Sequence, residues 1–242
     1  MNSNKNTTRN TEKALLKAAR VAGLVYLLTI ITNILSLIFV DPKLFVQGNT
    51  ASTINNIMAN ELLFRIDVTY KIIIYIGVVI LSVALYVILK TVNKNLALVA
   101  LFLRFGEGII GGVFTVLSGL IPLLLLNGEA VFETEQLQAL VGLFLDVSSA
   151  ALILVFLFLS LGSIVFFYLF FKSKYIPRLL SAFGIFSFLL TIIGTFINIL
   201  SPFSAWMLWG TPTILFELMI GLWLLIKGIN IKHWEKRALE SA

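Results

Sequence analysis

Six long apolar stretches dominate this sequence and leave few folds open to it. Each stretch is long enough to cross about 30 Å of hydrocarbon at the rise of an α-helix. A backbone in lipid must satisfy its own polar groups, which a helix does within one segment. The sequence therefore predicts an all-α, polytopic membrane helix bundle with six transmembrane helices. The predicted spans are 21–40, 66–89, 96–126, 147–171, 179–200 and 207–226.

Composition supports the same class of protein. Hydrophobic residues make up 59% of the 242 residues and charged residues 12%, whereas a soluble domain carries roughly twice that charged fraction. The net charge of +6 could suit nucleic acid, but the basic residues cluster beside the apolar stretches, as topology signals do. The sequence therefore indicates the lipid bilayer as a partner and excludes nucleic acid. With no cysteine, disulfides and thiolate chemistry are excluded.

The basic residues also predict an orientation. They lie before the first span, between the second and third, between the fourth and fifth, and after the sixth. The opposite side carries the acidic run Glu129, Glu133 and Glu135. By the positive-inside bias both termini are cytoplasmic. Residues 1–20 are predicted as a basic amphipathic lead-in, 21–230 as the transmembrane domain, and 231–242 as a short polar cytoplasmic tail.

Three charged residues lie deep inside predicted spans: Arg104, Glu107 and Glu217. A charge at the bilayer centre costs roughly 2.5–3.5 kcal/mol, so each needs a partner. Arg104 lies about 15 Å past Lys94 and Glu217 about 15 Å before Lys227, which places them at one depth. We predict an ion pair between Arg104 and Glu217, with Glu107 beside it on the face of Arg104. The pair is either a structural bridge or a solute or proton site, because two carboxylates near one guanidinium leave surplus negative charge.

A second set of charges lies near the predicted outer rim: Arg65, Asp67, Lys71 and Asp146. Glu61 with Arg65, and Asp67 with Lys71, are spaced i,i+4 with the acid first, which is the favourable order on a helix. These pairs indicate structural support for the second span. The alternative is that they form the mouth of an outward-facing cavity.

Small and polar residues form stripes along several spans. Tyr26 and Asn33 lie on the first, Thr115 on the third, and Thr191 and Asn198 on the fifth. Such stripes usually allow close helix packing. The alternative is a polar lumen, for which Asn33, Thr115, Thr191 and Asn198 are the candidate lining.

Several kinds of chemistry lack the residues they need. The single histidine, His233, lies in the basic tail, so a bis-histidine haem and a histidine-rich metal site are excluded. The glycine-rich run at 106–112 lies inside a span, where it cannot cradle a phosphate. The sequence thus indicates no cofactor, no metal and no catalytic residue, and it favours a protein that is not an enzyme.

Five blocks of sequence resemble a bacterial integral-membrane family catalogued as domain of unknown function 4386. The blocks are ELLFRIDVTY at 61–70, NKNLALVALFLRFGEGIIGG at 93–112, QLQALVGLFLD at 136–146, YIPRLLSAFG at 175–184 and PTILFELMIGLWLLIKGIN at 212–230. The resemblance extends from about 18 to 230. It implies a six-helix protein of the bacterial cytoplasmic membrane, and it implies no activity.

Three classes of function therefore stay open. The first is a carrier or channel that binds a small polar solute or ion at Arg104, Glu107 and Glu217. The second is a structural or regulatory membrane protein without a ligand, in which the charges form a closed pair. The third is a membrane enzyme acting on a lipid or isoprenoid, which requires a lateral opening beside the charges.

Overall fold

The computed structural model describes residues 2–127, 133–201 and 206–240, and the regular elements in those ranges are helices. Six of them are long and apolar enough to cross a membrane, which confirms the six predicted spans. Glu129 lies outside the described residues. The helices are α1 (Asn2–Leu35), α2 (Asp41–Leu44), α3 (Thr50–Ala59), α4 (Glu61–Leu89), α5 (Lys94–Thr115), α6 (Ile121–Asn127), α7 (Thr134–Ser173), α8 (Arg178–Leu200), α9 (Thr211–Ile226) and α10 (Ile231–Glu240).

Several helices extend beyond the predicted spans. α1 begins in the lead-in, and α7 begins at Thr134 although its span is predicted from 147. Hydropathy identifies the part of a helix that lipid covers, whereas the helix continues until a residue stops it. Neither proline nor glycine interrupts the stretch from 134 to 141, so α7 runs through it.

A π-helical turn interrupts the first span at Ser36–Val40 and another interrupts the third at Val116–Leu120. Each turn precedes a proline, Pro42 or Pro122. Proline has no N–H, and its ring clashes with the carbonyl four residues earlier, which here lies inside the wider turn. The turn thus accommodates the proline, and the helix continues beyond it as α2 or α6.

The described chain forms two compact units. Unit 1 comprises Met1–Ile30, Gly77–Glu107 and Phe156–Ala242, and unit 2 comprises Ile31–Ile76 and Gly108–Val155. The core of unit 2 contains Leu44, Ile57, Phe64, Val68 and Leu123.

Aromatic rings form the centre of unit 1. Phe167 of α7 meets Phe216 of α9 edge to face, with ring centroids 4.6 Å apart. Phe188 of α8 meets the same ring at 5.8 Å, also edge to face. Edge-to-face contacts at these distances are favourable beyond the area they bury. These rings hold α7, α8 and α9 together around Phe216.

α1 and α9 approach each other to backbone contact within unit 1. A Cβ atom on Gly23 would lie 2.5 Å from the nitrogen of Leu225 and 2.7 Å from the carbonyl oxygen of Gly221. Only glycine allows two membrane helices to come this close. The contact places Tyr26 against α9, since its Cβ lies 3.2 Å from where a Cβ on Gly221 would be.

The segment after the sixth span is a helix where the sequence indicates a short polar tail. α10 presents Ile231 and Trp234 to the core of unit 1. Asn230 caps the helix, because its side-chain oxygen accepts a hydrogen bond from the backbone nitrogen of His233 at 3.2 Å. Two apolar residues three apart are sufficient to dock one face of a helix this short.

Candidate functional site

The most deeply buried charges of unit 1 form an ion pair on α5. Nη1 of Arg104 lies 2.6 Å from Oε2 of Glu107, and their side chains are 2% and 5% exposed. The two residues are three apart, so they share one face of the helix. Pairing lowers the cost that either buried charge would have alone.

Glu217 lies close to this pair but not in it. The residue is partly buried on α9, and its charge acts on both Arg104 and Glu107. Within the described residues, the only ion-pair partner of Arg104 closer than 4 Å is Glu107. The predicted Arg104–Glu217 ion pair is therefore replaced by a pair within α5. A partner one turn away on the same helix is nearer than one across an interhelical distance of about 8–10 Å.

α7 provides the surface on which the arginine side chain lies. A Cβ atom on Gly162 would lie 2.8 Å from Cγ and 3.1 Å from Cδ of Arg104. The glycine therefore leaves space for the aliphatic part of the arginine. Ser160 and Ser163, on either side of it along the helix, are both buried. Because they are three apart, their side chains lie on one face of α7.

The hydroxyl group of Tyr26 completes the set. This side chain of α1 is buried, and the charges of Arg104, Glu107 and Glu217 all act on it. We refer to these six residues as the Arg104 cluster: Tyr26, Arg104, Glu107, Ser160, Ser163 and Glu217. All of them belong to unit 1.

Buried polar atoms without a hydrogen bond are concentrated in this cluster. Across the described side chains, seven buried polar atoms have no hydrogen-bond partner, and six of them belong to the cluster. A buried group left in that state costs about 1–3 kcal/mol. The ion pair itself is close in distance but is not aligned as a hydrogen bond. The six atoms are Tyr26 Oη, Arg104 Nε and Nη1, Glu107 Oε2, Ser160 Oγ and Ser163 Oγ.

A second polar cluster lies in unit 2, around Asp67. Nζ of Lys71 lies 2.6 Å from Oδ2 of Asp67, and the hydroxyl of Ser36 donates to Oδ1 at 3.3 Å. The same hydroxyl donates to Oδ1 of Asp41 at 3.1 Å, and the hydroxyl of Tyr70 interacts with Ser36 and Asp67. We call these five residues the Asp67 cluster. Both oxygens of the buried carboxylate have partners.

The other predicted rim charges lie at the surface. Arg65 forms the expected i,i+4 pair with Glu61, with Nη2 2.6 Å from Oε1, and both side chains are about half exposed. The Asp67–Lys71 pair also forms as expected. Asp146 is exposed on α7.

The residues proposed to line a lumen divide between the two units. Thr115 and Asn33 belong to unit 2; the threonine hydroxyl donates to the carbonyl of Gly111 at 2.9 Å, and the asparagine is exposed. In unit 1 the hydroxyls of Thr191 and Thr213 lie 2.9 Å apart and join α8 to α9, and Asn198 is partly buried. The buried threonines are thus satisfied within the protein.

Sequence reasoning missed the contribution of α7 to the Arg104 cluster. Ser160, Gly162 and Ser163 follow one another closely within an otherwise apolar run. Small residues this close together in a span are the signal that could have found them. No charge marks them, so they are inconspicuous beside Arg104 and Glu107.

Six apolar helices and a set of charges buried inside them define a multi-pass integral membrane protein. The family model described as Domain of unknown function (DUF4386) matches residues 21–228, and the chain belongs to this family. No curated protein and no solved structure shows a significant match to it.

Proposed function

We propose that the Arg104 cluster binds a small polar solute or an ion, and that the protein moves this ligand across the membrane. The observation that carries the proposal is a set of buried polar atoms without a hydrogen bond in unit 1, on Arg104, Glu107, Tyr26 and two serines of α7. Protein interiors rarely leave such groups without a hydrogen bond, and several within one compact unit indicate a partner other than the protein itself. Ionisable residues inside a membrane commonly mark the path of a solute or proton.

The cluster contains both kinds of hydrogen-bonding group. Nε of Arg104 and the hydroxyls of Tyr26, Ser160 and Ser163 can donate, while Glu107 and Glu217 can accept or hold a cation. Two carboxylates face one guanidinium, so a proton or a small cation would neutralise the excess negative charge. The ligand class that fits best is therefore a proton, a small cation, or a small molecule that has both an acceptor for Arg104 and a cationic group.

The proposed location is the bacterial cytoplasmic membrane with both termini in the cytoplasm. The distribution of lysine and arginine at the ends of the spans supports this orientation. The bilayer is then the main partner of the chain, and nucleic acid is not a partner.

The absence of cysteine makes water access to the cluster directly measurable. We would introduce Ser160→Cys and Ser163→Cys separately, and treat each variant in membranes with small charged methanethiosulfonate reagents. Ser187→Cys is the matched control, because Ser187 is equally buried but its hydroxyl donates to the carbonyl of Phe183 at 2.8 Å. A thiolate is the reactive species, so labelling requires a polar, water-reachable environment.

We expect faster labelling at residues 160 and 163 than at 187. Equal, negligible labelling at all three positions would contradict the proposal. For the transported ligand, the first probe is the proton. Dissipation of a pH gradient by reconstituted protein should disappear in Glu217→Gln and persist in Glu61→Gln, which alters an exposed pair.

A structural role without a ligand is the second candidate. It is favoured by the closed ion pair of Arg104 and Glu107 at 2.6 Å, which needs no further group to compensate its charges. Under this alternative the labelling rates at 160, 163 and 187 are the same.

A further inference from the structure

A basic groove lies at one end of unit 1, away from the Arg104 cluster. Its volume is about 580 Å³, and it lies between the connection from α7 to α8 and the connection from α9 to α10. Lys174 and Arg178 line one side, and Lys227 and His233 line the other. Trp223 of α9 contributes an aromatic surface.

The cations of this groove are not neutralised by the protein. Lys174, Arg178 and Lys227 are exposed, and no acidic side chain of the described chain lies within 4 Å of their charged groups. Arg178 makes a cation–π contact with the ring of Phe171, whose centroid lies 5.3 Å from the guanidinium carbon. Three unpaired cations around one concave surface attract a group with negative charge.

The two segments that form the groove are joined by a hydrogen bond before any ligand binds. The backbone nitrogen of Asn230 donates to the carbonyl of Tyr175 at 2.8 Å, which joins the two connections. Tyr175 is itself buried, and its hydroxyl lies 3.1 Å from that of Thr91. Burial raises the pKa of Tyr175, so the hydroxyl stays neutral and keeps this bond. A site held in place before binding loses less entropy when a ligand arrives.

The start of α8 adds further donors for an anion. The helix begins at Arg178, and Pro177 before it offers no side-chain cap to the first backbone N–H groups. Both residues line the groove. The N-terminus of a helix favours negative charge, and phosphate groups often occupy such a position beside Arg and Lys.

Exposed apolar side chains next to the groove indicate that the anionic group it attracts belongs to a lipid. Leu179, beside Arg178, is 84% exposed, and Ile226, beside Lys227, is 68% exposed. Both belong to candidate membrane spans. A phospholipid would place its acyl chains against such residues, with its headgroup among the cations and near the tryptophan ring.

We propose that this groove binds the phosphate headgroup of an anionic phospholipid. The test uses the full-length protein in mild detergent, titrated with phosphatidylglycerol, phosphatidylcholine or inorganic phosphate. Bound lipid is counted by native mass spectrometry. The test variant is Lys174→Gln with Lys227→Gln. The matched control is Lys90→Gln with Lys94→Gln, which removes the same charge from exposed positions outside the groove.

We expect phosphatidylglycerol to bind the wild type and the control equally, and the groove variant about tenfold or more weakly, since each surface cation contributes to the attraction. Lys174→Arg with Lys227→Arg should restore binding. Equal weakening in both glutamine variants would show that overall charge, not the groove, attracts the lipid. Displacement of the lipid by millimolar inorganic phosphate would overturn the lipid assignment in favour of a soluble anion. All four lysines are exposed, so the variants should fold.

Discussion

The Arg104 cluster and the Asp67 cluster both place an acid and a base on one helix within a membrane span, and they differ in how far their polar groups are satisfied. Asp67 has a partner for each carboxylate oxygen, in Lys71 and Ser36, and Lys71 is 20% exposed. Arg104 and Glu107 are almost fully buried, and their ion pair joins one nitrogen, Nη1, to one oxygen, Oε2. Nε of Arg104 and the hydroxyl groups of Tyr26, Ser160 and Ser163 have no hydrogen-bond partner in the described chain.

This difference separates a structural role from a binding role. A fully satisfied buried network stabilises one arrangement of helices, and its groups have no capacity left for a ligand. A partly satisfied network is costly for the fold, so its presence in a native protein calls for a second partner. Substitutions in the two clusters test this distinction.

The largest effect should come from removing the arginine. Arg104→Met leaves the buried carboxylate of Glu107 without a counter-charge, and we expect a loss of about 3–5 kcal/mol in the free energy of unfolding. Lys71→Met should cost less, because Asp67 keeps the hydrogen bond of Ser36. Chemical unfolding in detergent micelles measures both variants. Similar losses at the two positions would remove the distinction between the clusters.

A double variant separates stability from binding. Arg104→Met combined with Glu107→Leu replaces the ion pair by apolar side chains, which is often neutral or stabilising for a buried pair. We expect this protein to regain most of the stability lost in Arg104→Met. If the cluster binds a solute, its proton flux should nevertheless be lost.

The next largest loss of stability should come from substituting Gly162, which packs against the side chain of Arg104. Gly162→Ala places a methyl group 2.8 Å from Cγ of Arg104, and overpacking of this kind costs about 1–3 kcal/mol. Gly112→Ala on α5 is the control, since a Cβ atom there meets nothing within 4 Å. Alanine is the better helix former, so this control should be neutral or stabilise by up to about 1 kcal/mol. Thermal unfolding of the two variants should therefore shift in opposite directions.

A pair of serine substitutions should give a smaller and sharper contrast. Ser36→Ala removes a hydroxyl that donates to carboxylates, and we expect a loss of about 0.5–1.5 kcal/mol. Ser163→Ala removes a hydroxyl that has no partner, so the stability without a ligand should stay the same or rise slightly. Unfolding free energies measured side by side test this, and a larger loss at Ser163 than at Ser36 would contradict it.

The smallest effect concerns a pair of acids outside the membrane spans. The side chain of Glu235 on α10 shares a hydrogen bond with the carboxyl of Glu12 on α1, which raises the pKa of Glu235 above its usual value. A raised pKa means that the protonated form favours the docked helix. The contribution is therefore complete at acid pH and is lost as the pH rises through the pKa of Glu235 in the folded protein.

Fluorescence of Trp234, which packs against the core from α10, reports this docking. The wild type should show a modest change between acid and neutral pH. Glu235→Gln keeps a donor without a titrating proton, so its signal should stay constant over the same range. If Glu235→Gln shows the same change in fluorescence with pH as the wild type, another group is responsible for the transition.

Much of the architecture follows from patterns that are local in the sequence. Spans are recognised because about 20 apolar residues are needed to cross a bilayer. The Glu61–Arg65 and Asp67–Lys71 pairs form because an i,i+4 spacing brings side chains together on any helix. The partner of Arg104 was harder to predict, because equal depth along two spans does not determine the direction in which each side chain points.

The sequence by itself determined the number of membrane helices and the charges that must be compensated inside them, since hydropathy and the cost of burying a charge do not depend on the fold. The tertiary structure decided which residues do the compensating. It brought Gly162 of α7 against the side chain of Arg104, and it brought Tyr26 of α1 within reach of the same charge. The rotation of each helix about its axis depends on packing against its neighbours, and that packing involves residues far apart in the chain.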